Sequence, residues 1–226
     1  MPKKLCAFVI VVLWLAVCAN DFAAPPSARW PDSFVARVEA LALLQTLNAE
    51  LLSHDSATAI LEHWCELHHL ASPPRIIAAR VADVEKPPSP EQRRELGATP
   101  VDLVRYRRVR LMCGSVVLSE ADNWYVPSRL TPEMNRLLDT TDAPFGRVVQ
   151  ALHFQRRTLS STLLWQPLPP GWEMDASPAR NAAGELTIPP RLLEHRALLC
   201  LPDGTPFSEV VETYTDQILG FRFQAR

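Results

Sequence analysis

The chain has 226 residues, of which 47% are hydrophobic and 21% are charged, an ordinary composition for a globular protein with one good-sized domain. The formal net charge of −2 gives no electrostatic footprint for nucleic acid, and the sequence has neither a Walker-type loop nor a GxGxxG glycine pattern. We therefore expect no nucleic-acid partner and no phosphate-rich ligand.

Residues 1–19 have the layout of a secretory signal peptide. Two lysines precede the apolar run LCAFVIVVLWLAVCA, which is short for a membrane span. Val17 and Ala19 are acceptable small residues for cleavage after Ala19, and the stretch 15–18 also resembles a lipoprotein box ending at Cys18. We expect an exported, periplasmic protein that meets the membrane through this signal or a lipid anchor, with an uncleaved anchor or a wrong start codon as alternatives.

Cleavage after Ala19 would leave three cysteines, Cys65, Cys113 and Cys200. An odd number cannot form a fully paired disulfide framework. Cys113 and Cys200 fall on predicted strands, so one bridge between them is open in an oxidising compartment. Inert buried thiols are the favoured prediction.

Two helices follow a linker that we place at residues 20–33. Apolar residues recur at three- and four-residue spacing from Phe34 to near Ser53, which predicts an amphipathic helix. Asp55 or Ser56 can cap a second helix of about 57–70.

This second helix carries a group of potential metal ligands, His63, Cys65, His68 and His69. Helical zinc ligands stand three or four residues apart on a common face, with an acidic or sulfur partner, whereas His63 and His68 are five residues apart. We interpret the group as a solvated helix end rather than a metal site.

The middle of the chain predicts three strands. Residues 75–84 read as the first, and a proline-rich loop and a short helix separate it from a second strand within 101–114 that has arginines on both faces. A Gly-Ser turn then leads to a third strand over 116–126. The arginines are either a basic patch or partners in ion pairs, for example to Glu120 or Asp122.

Further along, Thr131-Pro132-Glu133 is a typical helix start, and a second short helix begins near Pro144. Residues 154–165 return to strand character. The proline-rich stretch 166–190 predicts a long loop, and we expect it to act as a lid over a pocket.

The C-terminal stretch predicts a β-hairpin, with strands at 197–201 and 207–214 around a Pro-Asp-Gly turn. Side chains alternate faces along a strand, so Glu212 shares a side with Val210 and Tyr214. A carboxylate among such neighbours should have a raised pKa unless a cation is close. Glu212 is therefore either a salt-bridged core residue or a catalytic acid or base.

The irregular alternation of helices and hairpins predicts an α+β fold, with a largely antiparallel β-sheet and helices packed on one face. We expect a single domain over residues 34–226.

The stretches LNAELLSHDSATAILEHW, YRRVRLMC, ADNWYVPSRLTPEMNRLLDTTDAPFGRVV, HRALL, DGTPF and VVETY follow one another over most of this domain. Their order and spacing resemble the chorismate pyruvate-lyase family. That family includes a divergent bacterial branch and shares its fold with the ligand-sensing domains of some transcriptional repressors. The resemblance implies a chorismate lyase-like fold.

The resemblance also implies a site in which an arginine and a glutamate hold the ligand. By position these are Arg108 and Glu212. A guanidinium binds a carboxylate bidentately, and a glutamate in a dry pocket can act as an acid or base. Where one branch of the family has a second arginine this chain has Asn123, so Arg110 or Arg147 would supply the second anionic contact.

The activity implied by the resemblance is that of a carbon–oxygen lyase, which eliminates pyruvate from chorismate to give 4-hydroxybenzoate without a metal or an organic cofactor. The alternative is an exported, non-catalytic module that binds a small aromatic acid or a lipid-like ligand in the same pocket. A structural envelope protein is a third hypothesis. The expected partner is a small aromatic or cyclohexadienyl carboxylate, and we expect a monomer.

Overall fold

The computed structural model describes residues 29–82, 84–174 and 184–221. Its strands are β1 (Ile76–Arg80), β2 (Arg105–Cys113), β3 (Val116–Tyr125), β4 (Gln155–Leu163), β5 (Arg191–Cys200) and β6 (Pro206–Thr215). They form one six-stranded sheet in the order β1-β2-β3-β6-β5-β4, in which neighbouring strands are antiparallel. The predicted α+β fold with a largely antiparallel sheet is confirmed.

The helices start where the sequence offers caps. They are α1 (Phe34–Ser53), α2 (Ala57–Leu67), α3 (Pro90–Glu95), α4 (Pro132–Thr140) and α5 (Phe145–Val148). The side chains of Ser33, Ser56 and Thr131 accept backbone N–H groups from the first turns of α1, α2 and α4. Such caps satisfy donors that the helix itself leaves unpaired, which is why they mark the helix starts so clearly in the sequence.

The two longest helices, α1 and α2, pack on one face of the sheet, here called the inner face. Leu44, Leu47 and Leu51 of α1 are at most 1% exposed and belong to the same core cluster as Val109 of β2 and Val210 of β6. Full burial of side chains of this size stabilises the fold by roughly 1.5–3 kcal/mol each. On this face α2 contacts β1 and β2, whereas α1 contacts β5.

The opposite, outer face is covered in part by α3 and the turn after it. Leu96 packs there with Trp124 of β3 and with Leu198 and Cys200 of β5. The helix begins with a capping box between Ser89 and Gln92, which satisfies two backbone donors at once. The helices α4 and α5 and the Phe207 side chain close one end of the sheet in a separate apolar cluster.

The predicted signal peptide, residues 1–19, lies outside the described residues, as do residues 20–28 of the predicted linker. The described end of that linker is tied to the second half of the predicted lid. The backbone N–H of Asp32 donates to the carbonyl of Gly184 at 2.7 Å, and Pro31 forms a β-bridge with Glu185. No helix among the described residues combines the length and apolar content needed to cross a membrane.

The cysteines differ from both sequence-based alternatives. Cys65 of α2 and Cys113 at the end of β2 form a disulfide, and Cys200 is a buried free thiol. The predicted pairing of Cys113 with Cys200 is wrong because Cys113 belongs to the inner-face core and Cys200 to the outer-face cluster. Of Cys65, Cys113 and Cys200, only Cys200 is the buried free thiol that the other alternative predicted.

We predict that reduction of this disulfide destabilises the domain. It joins residues 48 apart in sequence, and cross-links of this kind typically contribute about 2–4 kcal/mol, chiefly by restricting the unfolded chain. Urea unfolding with and without a thiol reductant measures the difference. A double variant, Cys65→Ala with Cys113→Ala, should lose all sensitivity to the reductant, whereas Cys200→Ala should keep it. Equal stability of the oxidised and reduced chain would contradict the prediction.

Candidate ligand-binding cavity

A cavity that is partly open to solvent lies between the inner face of the sheet and the N-terminal end of α2. Its walls are mostly apolar. They are formed by Ala57, Val109, Leu111, Ala121, Phe145, Phe154, Leu199 and Val210. The charged and amide side chains along the strands are Arg107, Asn123, Arg156 and Glu212, and Asp55, Ser56 and Thr58 lie at the start of α2.

The strand register brings the polar groups to one face. Arg107 of β2 lies directly opposite Asn123 of β3, and Asn123 lies opposite Val210 of β6. Glu212, two residues along β6 from Val210, lies opposite Ala121. Residues directly opposite one another in an antiparallel pair share a face, and so do residues two apart along a strand. Arg107, Asn123 and Glu212 therefore all reach the cavity.

Arg107 is a buried cation without a carboxylate partner. Its side chain donates to the Ala143 carbonyl at 3.2 Å, its Nε has no partner, and among the described residues no acidic oxygen lies within 4.0 Å of it. The residue is 5% exposed. Burial, followed by the nearby Arg80 guanidinium, lowers the pKa of Arg107 from 12.5 to about 10. It remains charged at neutral pH and retains unused donor capacity.

Asn123 is buried beside Arg107. Its side-chain oxygen accepts a hydrogen bond from the Ser208 hydroxyl at 2.7 Å. This contact uses the amide oxygen and leaves the amide nitrogen as a donor for a molecule in the cavity. Cβ atoms of directly opposite residues lie roughly 4.5–5.5 Å apart, so Arg107 and Asn123 can donate to one small anion together.

Glu212 is held by a buried ion pair. The Arg156 guanidinium donates to Glu212 Oε2 at 2.6 Å, and the two side chains are 4% and 7% exposed. The Tyr214 hydroxyl donates to the same oxygen at 3.2 Å. Burial, and then the Glu212 charge, raise the pKa of Tyr214 well above 10, so the phenol stays protonated. Glu212 is therefore salt-bridged, which is the first of the two alternatives that the sequence offered for this residue.

Arg156 is the residue that the sequence did not single out. It lies on β4 and crosses over β5 to reach Glu212 on β6. Burial works to lower the pKa of Arg156, but the Glu212 charge and its neighbours outweigh burial and raise it. The stretch QRRTLSSTL offers no apolar alternation that would show which of its two arginines faces inward.

The arginines predicted from the family resemblance lie elsewhere. Arg108 lies opposite Asp122, faces the outer side of the sheet, and contacts Glu120 at 3.5 Å and Asp122 at 3.9 Å. Arg110 pairs with Glu120 at 3.5 Å on the same side. The prediction that Arg108 and Glu212 converge on one cavity is therefore wrong, since consecutive residues of a strand face opposite sides and the inward arginine is Arg107.

A sequence signal for Arg107 did exist. Val109, Leu111 and Cys113 are the apolar set of β2, and Arg107 is in phase with them, whereas Arg108 is in phase with Arg110. The alternative that the arginine-rich strand forms ion pairs with Glu120 and Asp122 is confirmed for Arg108 and Arg110.

Arg147, the other predicted anion contact, is a structural residue. It forms an ion pair with Glu62 of α2 and donates to the Ile76 carbonyl at 3.4 Å. These contacts hold α5 against α2 and β1, and Arg147 does not line the cavity. Of the predicted site residues, Asn123 and Glu212 line it.

The described parts of the predicted lid, residues 166–174 and 184–190, do not line the cavity. Trp172 packs against Phe34 with ring centroids 5.9 Å apart, and the Arg37 guanidinium donates to the Pro167 carbonyl at 2.7 Å. Residues 175–183 of this loop lie outside the described residues. Among the residues that the structure describes, no group of three or more His, Cys, Asp or Glu is placed to hold a metal ion.

A fully buried histidine lies next to Glu212 on the neighbouring strand. His195 of β5 is directly opposite Glu212, and its Nε2 lies 2.8 Å from the Asn48 side-chain oxygen, so Nε2 carries the proton in this arrangement. Its Nδ1 has no partner. Burial, followed by the Arg156 charge, lowers the pKa of His195 from 6.5 to about 4. The ring is therefore neutral in the folded chain at neutral pH.

This histidine predicts a loss of stability in weak acid. The unfolded chain takes up a proton at His195 below pH 6.5, while the folded chain resists it until about pH 4. Stability should therefore fall between these values, by up to about 3 kcal/mol. Urea unfolding at pH 7 and pH 4 tests this. The fall should be smaller in His195→Gln and unchanged in the control His63→Gln, which alters an exposed histidine; equal falls in all three would refute it.

No family model matches the chain. Among solved structures, a GntR-family transcriptional regulator from Enterococcus faecalis V583 is 13% identical with a TM-score of 0.39, covering 66% of this chain and 99% of that one. The PhnF C-terminal domain is 18% identical with a TM-score of 0.38, covering 62% and 82%. These likenesses are too remote to support an argument.

A curated protein gives a much stronger match. The uncharacterized protein y4mC of Sinorhizobium fredii (strain NBRC 101917 / NGR234) is 54% identical over 194 residues. The match covers 85% of this chain and 82% of that protein. The chain belongs to the same family as y4mC.

Proposed function

We propose that the chain binds a small ring-bearing carboxylate in this cavity, with the carboxylate held by Arg107 and Asn123. The observation that carries the proposal is the buried guanidinium of Arg107, which faces an apolar cavity and lacks an acidic partner within salt-bridge distance among the described residues. Such a site suits a ligand that has an anionic group at one end and an apolar body.

The energetics favour an anionic ligand. A buried charge that has lost its water costs several kcal/mol, and the lowered pKa of Arg107 reflects that cost. A ligand carboxylate would offset it through charge-assisted hydrogen bonds, which guanidinium groups can make in pairs. The neighbouring amide of Asn123 adds a neutral donor. Val109, Leu111 and Phe154 supply apolar walls for a ring.

The far end of the cavity favours a hydroxyl group on the ring. Glu212 lies two strands across from Arg107 and two residues along, which places their Cα atoms roughly 12 Å apart. Arg156 and Tyr214 both use Oε2 of Glu212, so Oε1 remains as an acceptor. A ring with a carboxylate at one end and a hydroxyl at the other fits this spacing, and 4-hydroxybenzoate is the simplest probe.

We expect Arg107→Met to weaken 4-hydroxybenzoate binding by about 10- to 100-fold, because a hydrogen bond to a charged group contributes about 1.5–3 kcal/mol. Isothermal titration calorimetry measures the change. The matched control is Arg110→Met on the same strand, whose side chain is 54% exposed on the outer face and should leave affinity unchanged. Equal effects of the two substitutions, or no binding by the unaltered chain, would contradict the proposal.

A second candidate function is the elimination of pyruvate from chorismate. The observation that favours it is the carboxylate of Glu212 facing the cavity beside the expected ring position. A carboxylate there could accept the ring proton while the bond from the ring to the enolpyruvyl oxygen breaks, which gives 4-hydroxybenzoate and enolpyruvate; the enolpyruvate then takes up the proton and becomes pyruvate. The ion pair with Arg156 suits a base or a hydrogen-bond acceptor better than an acid.

Pyruvate release from chorismate separates this candidate from simple binding. A lyase should release pyruvate, and Glu212→Gln should slow the release by about 100-fold or more, as loss of a general base does. A lactate dehydrogenase-coupled assay follows the product. If the unaltered chain releases pyruvate no faster than Glu212→Gln does, the lyase is rejected. The binding proposal is tested separately, by the calorimetry described above.

A further inference from the structure

A second cavity lies beside the first half of β2. The strand β1 pairs with β2 only from Val109 to Cys113, so the earlier residues of β2 have no partner strand on that side in the described part of the chain. The chain that follows β1 passes here as a loop, and Pro87 and Pro88 lack the N–H groups that would let it continue the sheet. The residues just before β2 and the end of α4 complete the walls.

The described lining of this second cavity is strongly basic. Its acidic side chains are Glu85 and Asp139, and its basic ones are Arg80, Lys86, Arg93, Arg105 and Arg107. Two of these cations already have carboxylate partners, since Arg105 pairs with Asp139 at 2.9 Å and Lys86 pairs with Asp122 at 3.2 Å. The formal charge of −2 for the whole chain hides this local excess of positive charge.

Arg80 and Arg107 are neighbouring cations on the inner face. Arg80 lies opposite Val109, and Arg107 is two residues before Val109, so the two arginines are diagonal neighbours across the strand pair. After burial, the Arg80 charge is the next largest cause of the lowered pKa of Arg107. Arg80 donates to the Asp139 carbonyl at 2.8 Å, and among the described residues no carboxylate oxygen lies within 4.0 Å of either guanidinium. The repulsion between the two is therefore not offset by an adjacent acid of this part of the chain.

We propose that the second cavity binds a phosphoryl dianion between the guanidinium groups of Arg80 and Arg107. Arg107 lines both cavities, is 5% exposed, and has no hydrogen-bond partner for its Nε. A guanidinium presents five N–H donors in a planar fork that matches pairs of phosphate oxygens. A dianion neutralises both cations, whereas a single carboxylate leaves one of them uncompensated. The site does not depend on the ligand proposed for the first cavity.

The rim of the second cavity gives the phosphoryl group room to belong to a larger molecule. Pro87, Pro88, Leu103 and Val104 form an apolar side, and Leu103 is 63% exposed. An organic group attached to the phosphate can lie along these residues. The ligand class is thus inorganic phosphate or a phosphomonoester, and the two are separated by experiment.

Isothermal titration calorimetry at pH 8 and constant ionic strength should show saturable binding of inorganic phosphate with a Kd below about 1 mM. Arg80→Met should weaken it at least about tenfold, because one of the two charge-assisted contacts is lost. Arg80→Lys should keep part of the affinity, since it keeps the charge without the fork. The matched control is Arg110→Met, which removes the same charge on the outer face and should change nothing. Circular dichroism and thermal melting verify that each variant is folded.

Phenyl phosphate, titrated in the same way, distinguishes the two sources. If it binds more tightly than phosphate, and Leu103→Asn removes the difference, the ligand class is a phosphomonoester; otherwise it is inorganic phosphate. In both cases binding must require Arg80, which lines only the second of the two cavities. The proposal is overturned if neither compound binds, or if Arg80→Met weakens binding no more than Arg110→Met does. Binding of 4-hydroxybenzoate is measured separately, so failure of one proposal does not imply failure of the other.

Discussion

The buried pair between Arg156 and Glu212 is the interaction on which the candidate site depends. Both groups are almost wholly removed from water, so each requires the other, and loss of one partner from such a pair typically costs about 3–5 kcal/mol. The pair joins the edge strand β4 to β6 across β5 and neutralises the acid at one end of the cavity. With Glu212 paired to Arg156, Arg107 is a cavity cation without a carboxylate partner, and its Nε, like that of Arg156, has no hydrogen-bond partner among the described residues.

Much of the fold follows from local chemistry that is visible in the sequence. Ser56 and Thr131 mark helix starts because their hydroxyls satisfy donors that the helices leave unpaired. The Pro-Asp-Gly turn correctly predicts the last hairpin. The first half of β5 was missed, because Glu194, His195 and Arg196 interrupt its apolar pattern. Each of those three finds a partner only through the packed sheet and α1, which no local pattern shows.

The site was predicted less well, for a reason specific to β2. In RYRRVR, polar side chains occupy both faces, and a shift of one residue moves every side chain to the other side of the sheet. The family resemblance led to Arg108, whereas the apolar phase of Val109 and Leu111 points to Arg107. Glu212 was identified because its neighbours Val210 and Tyr214 are unmistakably core residues. Its partner Arg156 lies 56 residues earlier, on a strand without such a pattern.

The disulfide between Cys65 and Cys113 links redox environment to the shape of the cavity. Cys65 is on the helix whose first turn forms one wall, and Cys113 is on the strand that carries Arg107 on the opposite wall. A covalent tie between these two elements restricts how far the walls can separate. A copy of the chain held in the reducing cytosol would keep the same fold pattern but rely on packing alone to keep its binding groups in position. Formation of this disulfide would thus be a maturation step for the cavity as well as a source of stability for the domain.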